Sequence, residues 1–143
     1  MRIERVLRDK GGDVLTITPG AKVSQAAAML SEKRIGALIV CEKGGGPEGI
    51  LSERDIVREL GRSGAGCLDT PVSELMTAKI ESCAKDDALD AVLTKMTEGR
   101  FRHMPVIENG QMIGLVSIGD VVKARLSELA MERDALQGMV MGH

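Results

Sequence analysis

The sequence predicts a mixed α/β (α+β) protein made of two similar β-α-β-β-α repeats. Three observations lead there. Gly114-Leu115-Val116-Ser117-Ile118-Gly119-Asp120 has an earlier copy in Gly49-Ile50-Leu51-Ser52-Glu53-Arg54-Asp55. The apolar spacing i, i+3, i+4, i+7 at Val23, Ala26, Ala27 and Leu30 recurs 66 positions later at Leu89, Val92, Leu93 and Met96. Met104-Pro105-Val106-Ile107 stands at that same offset from Leu38-Ile39-Val40-Cys41. A doubled pattern of this kind marks a repeated supersecondary unit. One copy is too small to bury its helical faces alone. Two copies related by a pseudo-two-fold axis and sharing one core are therefore expected, with a crevice beside each junction.

The elements follow in order. Ile3 to Leu7 reads as a short helical lead closed by Gly11-Gly12, and Val14-Leu15-Thr16-Ile17 as a strand ended by Pro19-Gly20. The Val23 to Leu30 spacing is one face of an amphipathic helix. Ala37 to Cys41 is a buried strand, Gly44-Gly45-Gly46-Pro47 a turn, and Gly49 to Leu51 the next strand. The repeat ends in the helix that Ser52 and Asp55 begin, giving a first repeat over 1–60. Gly61-Arg62-Ser63-Gly64-Ala65-Gly66 reads as a linker, within 61–70, because its glycines end the preceding helix. Pro71 and Val72 to Met76 restart the pattern, and the second repeat spans 71–126. Lys79 to Ser82 takes the place of the first strand there, and Asp87 reads as the N-cap of the next helix. Asn109-Gly110 predicts a tight hairpin turn. Beyond Asp120 no Gly or Pro occurs until Gly138, so a helical extension over 127–143 protrudes past the repeat.

Each copy of the junction puts a hydroxyl and a carboxylate where a strand hands over to a helix. The first amides of that helix lack internal partners, and its dipole favours negative charge there. Hydroxyl and amides can hold a phosphate or a polar oxygen, and the carboxylate can accept from both hydroxyls of a ribose. Ser-x-x-Asp is also a variant of the capping box, worth about 1 kcal/mol without any ligand. The doubled copy favours the binding reading.

Composition narrows the rest. The chain has 143 residues, one Phe and no Trp or Tyr, with Lys+Arg 19 against Asp+Glu 21. Single-strand nucleic-acid surfaces use aromatic platforms in a basic groove, so nucleic acid is not expected as a partner. No apolar run approaches a membrane span and Met1-Arg2-Ile3-Glu4-Arg5 does not begin a signal peptide, which predicts a soluble, cytoplasmic protein. Cys41, Cys67 and Cys83 are scattered and form no C-x-x-C, and with two histidines no metal site is expected. The thiols read as buried or reduced. Catalytic motifs of the serine-hydrolase, zinc-protease, Walker and dinucleotide-fold types do not occur in the sequence.

The whole pattern, from about Ile3 to Leu126, resembles the tandem cystathionine-β-synthase (CBS) domain pair, or Bateman module, of the stand-alone bacterial type. The runs that carry the resemblance are Gly49 to Asp55, Gly114 to Asp120 and Phe101-Arg102-His103-Met104-Pro105-Val106. It implies a sensor of adenosine-containing ligands, with AMP foremost and NAD(H) as a further candidate, working by signal transduction rather than catalysis and without a metal. It also implies a homodimer through module helices; the long final helix, with Leu126, Leu129, Ala130, Arg133 and Leu136, gives that a sequence motive. The downstream effector is unassigned. The resemblance places Asp55 and Asp120 on ribose hydroxyls, with Ser52 and Ser117 near ribose or phosphate. Arg102, His103, Met104 and Pro105 would wall the base and reach the phosphate. Their counterparts include Ala37, which carries no charge, so Arg54 is the candidate for a phosphate in the first repeat. Gly119, the counterpart of Arg54, leaves room for something larger. Without aromatics, adenine needs aliphatic walls and backbone hydrogen bonds, which Thr16, Thr18, Lys79, Ile80 and Ser82 are placed to supply. Alternation along a strand lets one of Arg102 and His103 face a given crevice. The competing readings are an oligomerisation module without ligand and a minor enzymatic role.

Overall fold

The structure is a computed structural model that describes residues 1–11 and 14–140. The elements run α1 (Ile3–Lys10), β1 (Thr16–Ile17), α2 (Val23–Lys33), β2 (Ala37–Val40), β3 (Gly49–Ser52), α3 (Glu53–Ser63), a 3-10 helix (Ala65–Asp69), α4 (Val72–Leu75), α5 (Leu89–Gly99), β4 (His103–Glu108), β5 (Gln111–Ser117) and α6 (Ile118–Val140). They form two compact units, Asp13–Ile80 and Met1–Gly12 with Glu81–His143. The units cut across the repeat boundaries. The lead helix α1 packs with the second half of the chain, and α4 packs with the first.

In the Asp13–Ile80 unit, β1 runs parallel to β2 and β2 antiparallel to β3. All four residues of β2 are buried, as the continuous apolar run Ala37 to Val40 requires of a strand covered on both faces. Val23, Ala26 and Leu30 of α2 meet Leu38, Val40, Leu51, Ile56 and Val72 in one core. The expected linker is ordered instead. α3 continues to Ser63, and Gly64, at φ +81°, turns its amide back onto the Leu60 carbonyl at 2.9 Å. The 3-10 turn that follows buries Cys67, and the Thr70 hydroxyl donates to the Cys67 carbonyl at 2.6 Å. The small residues allow a tight turn, and the thiol supplies its apolar anchor.

The other unit is built on the β4–β5 hairpin. Asn109 and Gly110 both have positive φ, 52° and 78°, as the two-residue turn demands. Leu89, Val92 and Met96 of α5 and Ile3 and Val6 of α1 share a core with Met104, Val106, Val116 and Val121. Two expectations fail here. Lys79 to Ser82 forms no strand, and among the described residues the one isolated parallel bridge to β4 is at Cys83, whose amide donates to the Pro105 carbonyl and whose carbonyl accepts from the Ile107 amide. Three of the four residues from Lys79 to Ser82 are half-buried or exposed polar groups, so no apolar face holds them to the sheet. Asp87 does not cap α5; Ala88 holds the N-cap position, and Asp87 Oδ2 accepts from the Ala84 amide at 2.9 Å inside the preceding turn. Burial pushes the Cys83 thiol up to about 11, with the Asp87 carboxylate adding to it, so this cysteine is an inert core group.

The repeat is visible at the level of single hydrogen bonds. Ile35 N donates to Leu30 O and Phe101 N to Met96 O, each past an arginine in the left-handed region, Arg34 at φ 53° and Arg100 at φ 59°. The leading glycines match as well. A Cβ on Gly114 would meet Leu7 Cδ2 at 2.4 Å, and one on Gly49 would meet Met76 Sδ at 2.5 Å and the Thr77 carbonyl oxygen at 3.1 Å. Each glycine thus receives a side chain from a lead-helix segment. Leu7 can rotate away, but the Thr77 backbone cannot. Gly49→Ala should therefore destabilise by about 1–3 kcal/mol and Gly114→Ala by less, as chemical denaturation would show; equal costs would count against this difference.

Candidate functional site

The two junctions fold alike. His103 pairs with Ser117 as Ala37 pairs with Ser52. Ile118 N donates to the Arg102 carbonyl at 2.8 Å as Glu53 N donates to that of Gly36 at 2.9 Å. In the first junction the Ser52 amide donates to Asp55 Oδ2 at 2.9 Å, and the Asp55 amide donates to Ser52 Oγ at 3.3 Å. In the second the Ser117 amide donates to Asp120 Oδ2 at 3.0 Å, and the Asp120 amide donates to Ser117 Oγ at 3.1 Å. These are reciprocal capping boxes, so the local reading of Ser-x-x-Asp is realised in both. The cap uses Oδ2 each time. Among the described residues, Oδ1 of the same carboxylate takes no part in the cap, and Arg58 approaches it at 3.9 Å in Asp55.

The junctions differ in what surrounds the carboxylate. The Asp55 side chain is 14 % exposed and that of Asp120 31 %, so Asp120 is the more reachable. Lys10, the last residue of α1, extends its ammonium to Asp120 Oδ2 at 2.7 Å and to the Leu115 carbonyl at 2.8 Å. Burial works to raise the Asp120 pKa, but the Lys10 ammonium and the Ser117 amide and hydroxyl outweigh it and hold the carboxyl below its usual range. Beside the pair lies a cavity of about 230 Å³ bordered by Val6, Lys10, Asp120, Lys123 and Ser127. A Cβ on Gly119 would meet nothing nearer than Ser117 Oγ at 3.8 Å, so the space above this helix start is open. Arg54 fills the matching place in the first junction and is exposed.

The other candidates fall into three groups. Arg102 is exposed and His103 half-buried at the head of β4. Ala37, Met104 and Pro105 are buried, and Met104, completely so, belongs to the core of its unit. Thr16 and Thr18 are exposed at β1, and Lys79 and Ile80 lie in the Asp13–Ile80 unit while Ser82 lies in the other. The Ser82 carbonyl accepts from Lys95 Nζ at 2.7 Å. Sequence reasoning missed Lys10. Its only sequence signal is a basic residue at a helix end, which favours the dipole of α1 itself. Among the described residues no three His, Cys, Asp or Glu side chains gather as metal ligands, and no helix is long and apolar enough to cross a membrane.

Two α+β units that each carry a capped Ser-x-x-Asp strand-to-helix junction define a tandem-repeat protein. The chain belongs to the CBS domain family, whose family model matches residues 5–62 and 72–127. A mitochondrial CBS domain-containing protein of Arabidopsis thaliana, CBSX3, is 33 % identical over 148 residues, covering 98 % of this chain and 72 % of the relative. The crystal structure of a CBS-domain containing protein from Agrobacterium tumefaciens matches with a TM-score of 0.84 and 42 % identity, over 87 % of this chain and 99 % of that one. The CBS domain pair of protein MJ0100, solved with 5′-methylthioadenosine and S-adenosyl-L-methionine, has the same fold at TM-score 0.78 and 20 % identity, over 90 % of this chain and 98 % of that one.

Proposed function

We propose that this chain is a regulatory module that senses an adenosine-containing ligand through its two Ser-x-x-Asp junctions and transmits the binding event without catalysis. The observation that carries the reading is the doubled capping box in which the cap occupies one oxygen of each aspartate and leaves the other for a ribose hydroxyl. The adenosine ligands of the MJ0100 pair support the chemical class. AMP is the foremost candidate for this chain. Ser117 and Asp120 form the tighter of the two sites, and the open space at Gly119 suits a dinucleotide such as NAD(H) there. Ser52 and Asp55, with Arg54 for a phosphate, take AMP more weakly. Arg102 and His103 serve the phosphate or wall of the second site, while Thr16, Thr18, Lys79, Ile80 and Ser82 offer backbone groups to the base. The module works as a cytoplasmic homodimer, a reading supported by the exposed apolar residues of α6.

The test is a thermal shift. A ligand at a hundred times its dissociation constant adds about 2.7 kcal/mol to the folded state. AMP, ADP, ATP, NADH or S-adenosylmethionine should then raise Tm by about 5 °C, and guanosine or cytidine monophosphate by much less. Equal shifts with every nucleotide would show generic anion binding and overturn the adenosine reading.

A further inference from the structure

α6 is 23 residues long, and only its first part is packed on its own unit. Val121 is its one buried residue, and from Leu129 to Val140 every side chain but the hydrogen of Gly138 faces solvent. The unpacked stretch from Leu129 to Val140 is about three turns, and a helical segment that short is marginal alone in water even with good formers. Met131 and Met139 are exposed apolar residues off any one stripe, but the exposed branched apolar residues of the helix keep a regular order. Val122, Leu126, Leu129, Leu136 and Val140, with Arg133 between them, are separated alternately by four and three positions, the seam of a paired helix. They are 38, 62, 43, 61 and 88 % exposed, Arg133 aside. The seam continues for about 27 Å at the rise of an α-helix.

We propose, resting on the homodimer reading above, that this seam pairs antiparallel with the same helix of a second copy, and that Arg133 sets the orientation. The seam is complementary to itself in one antiparallel register. Val122 then faces the partner's Val140, Leu126 the partner's Leu136, and Leu129 the partner's Arg133. All six seam positions are used, and the apolar layers lie at both ends. A parallel pair would instead stack Arg133 on the partner's Arg133 and bring two guanidinium groups into one layer, each with only the exposed Asp134 of its own copy at 3.8 Å to offset it. In the antiparallel register Glu132 crosses the two-fold beside the partner's Arg133, so each guanidinium finds a carboxylate. A polar residue at one seam position is a known way to fix register at some cost in stability.

The experiment uses the full chain with Cys41→Ser, because Cys41 is the one native cysteine that is not buried. Leu126→Cys and Leu136→Cys are made separately; both sites are exposed, so both variants should fold. Under mild oxidation an equal mixture should give the mixed disulfide, identified by mass, and neither variant alone should crosslink. In sedimentation, Arg133→Glu should weaken dimerisation at least tenfold, and Arg133→Glu with Glu132→Arg should restore it. Crosslinking of either variant with itself would show parallel pairing and overturn the proposal. A dimer in sedimentation that forms no mixed disulfide would sink the helix pairing and leave the homodimer standing. A monomer at micromolar concentration would overturn both.

Discussion

Asp120→Ala should weaken the tighter adenosine-binding event by about 10- to 100-fold and leave the protein folded. The carboxylate would accept from ribose hydroxyls, and a hydrogen bond to a charged group is worth about 1.5–3 kcal/mol. Each 1.4 kcal/mol is tenfold in affinity. Stability should fall much less. The cap contact from Ser117 is worth about 1 kcal/mol, and the Lys10 ion pair is a third exposed and contributes modestly. Asp55→Ala should spare the tight event and remove only the weaker one. Its carboxylate is less exposed, and it has no counterpart to the open space at Gly119. Calorimetric titration of both variants with AMP and NADH separates the outcomes. Loss of the tight site in Asp55→Ala would reverse the assignment of the two junctions. Unchanged binding in both variants would reduce the aspartates to helix caps.

The parts of this architecture that repeat locally are legible in the sequence. The faces of α2 and α5 follow from spacing alone, because Val23, Ala26 and Leu30, and Leu89, Val92 and Met96, are the buried residues of their helices. The Asn109-Gly110 turn follows from the two residues that tolerate positive φ. Both Ser-x-x-Asp boxes form with the partners their spacing implies. What the sequence hides is long-range. Nothing in the periodicity of Ile3 to Lys10 says that α1 packs against α6 and β5, more than a hundred positions away, rather than against the strands that follow it. Hence Lys10 is invisible as a partner of Asp120. The missing strand at Lys79 to Ser82 fails for a related reason. The repeat offset alone points to a strand there, while the residues lack the apolar face that would hold them to β4. The segment 61–70 joins the repeats as an ordered turn, because Cys67 is buried within it and Leu68 packs on the core of the Asp13–Ile80 unit.

Lys10→Met should strengthen binding of adenosine itself, the neutral nucleoside, by about 3- to 10-fold. In the free protein the Lys10 ammonium holds Asp120 Oδ2 at 2.7 Å. One ribose hydroxyl can take Oδ1 freely, but the second hydroxyl must share or displace Lys10 at Oδ2, at the expense of part of a charge-assisted bond of about 1.5–3 kcal/mol, reduced here because both side chains are about a third exposed. Removing the ammonium removes the competitor. The same change has a signed effect on stability. The folded-state Asp120 pKa lies below its ordinary value, held there against burial by Lys10 and Ser117. Its contribution is therefore fully present above the ordinary carboxylate value of about 4 and is lost as the pH falls through the lower folded value. Lys10→Met should lower Tm at pH 7, and the gap to the parent protein should narrow as the pH falls below the ordinary carboxylate value of about 4 and through the lower folded value of Asp120. Titration with adenosine at pH 7 and melting curves from pH 3 to 8 measure both effects. A gap in Tm that does not narrow on acidification would show that Lys10 acts through something other than Asp120. Weaker adenosine binding in Lys10→Met would make Lys10 part of the ligand's grip. Unchanged binding would mean that no ribose hydroxyl takes Asp120 Oδ2, the oxygen that Lys10 holds.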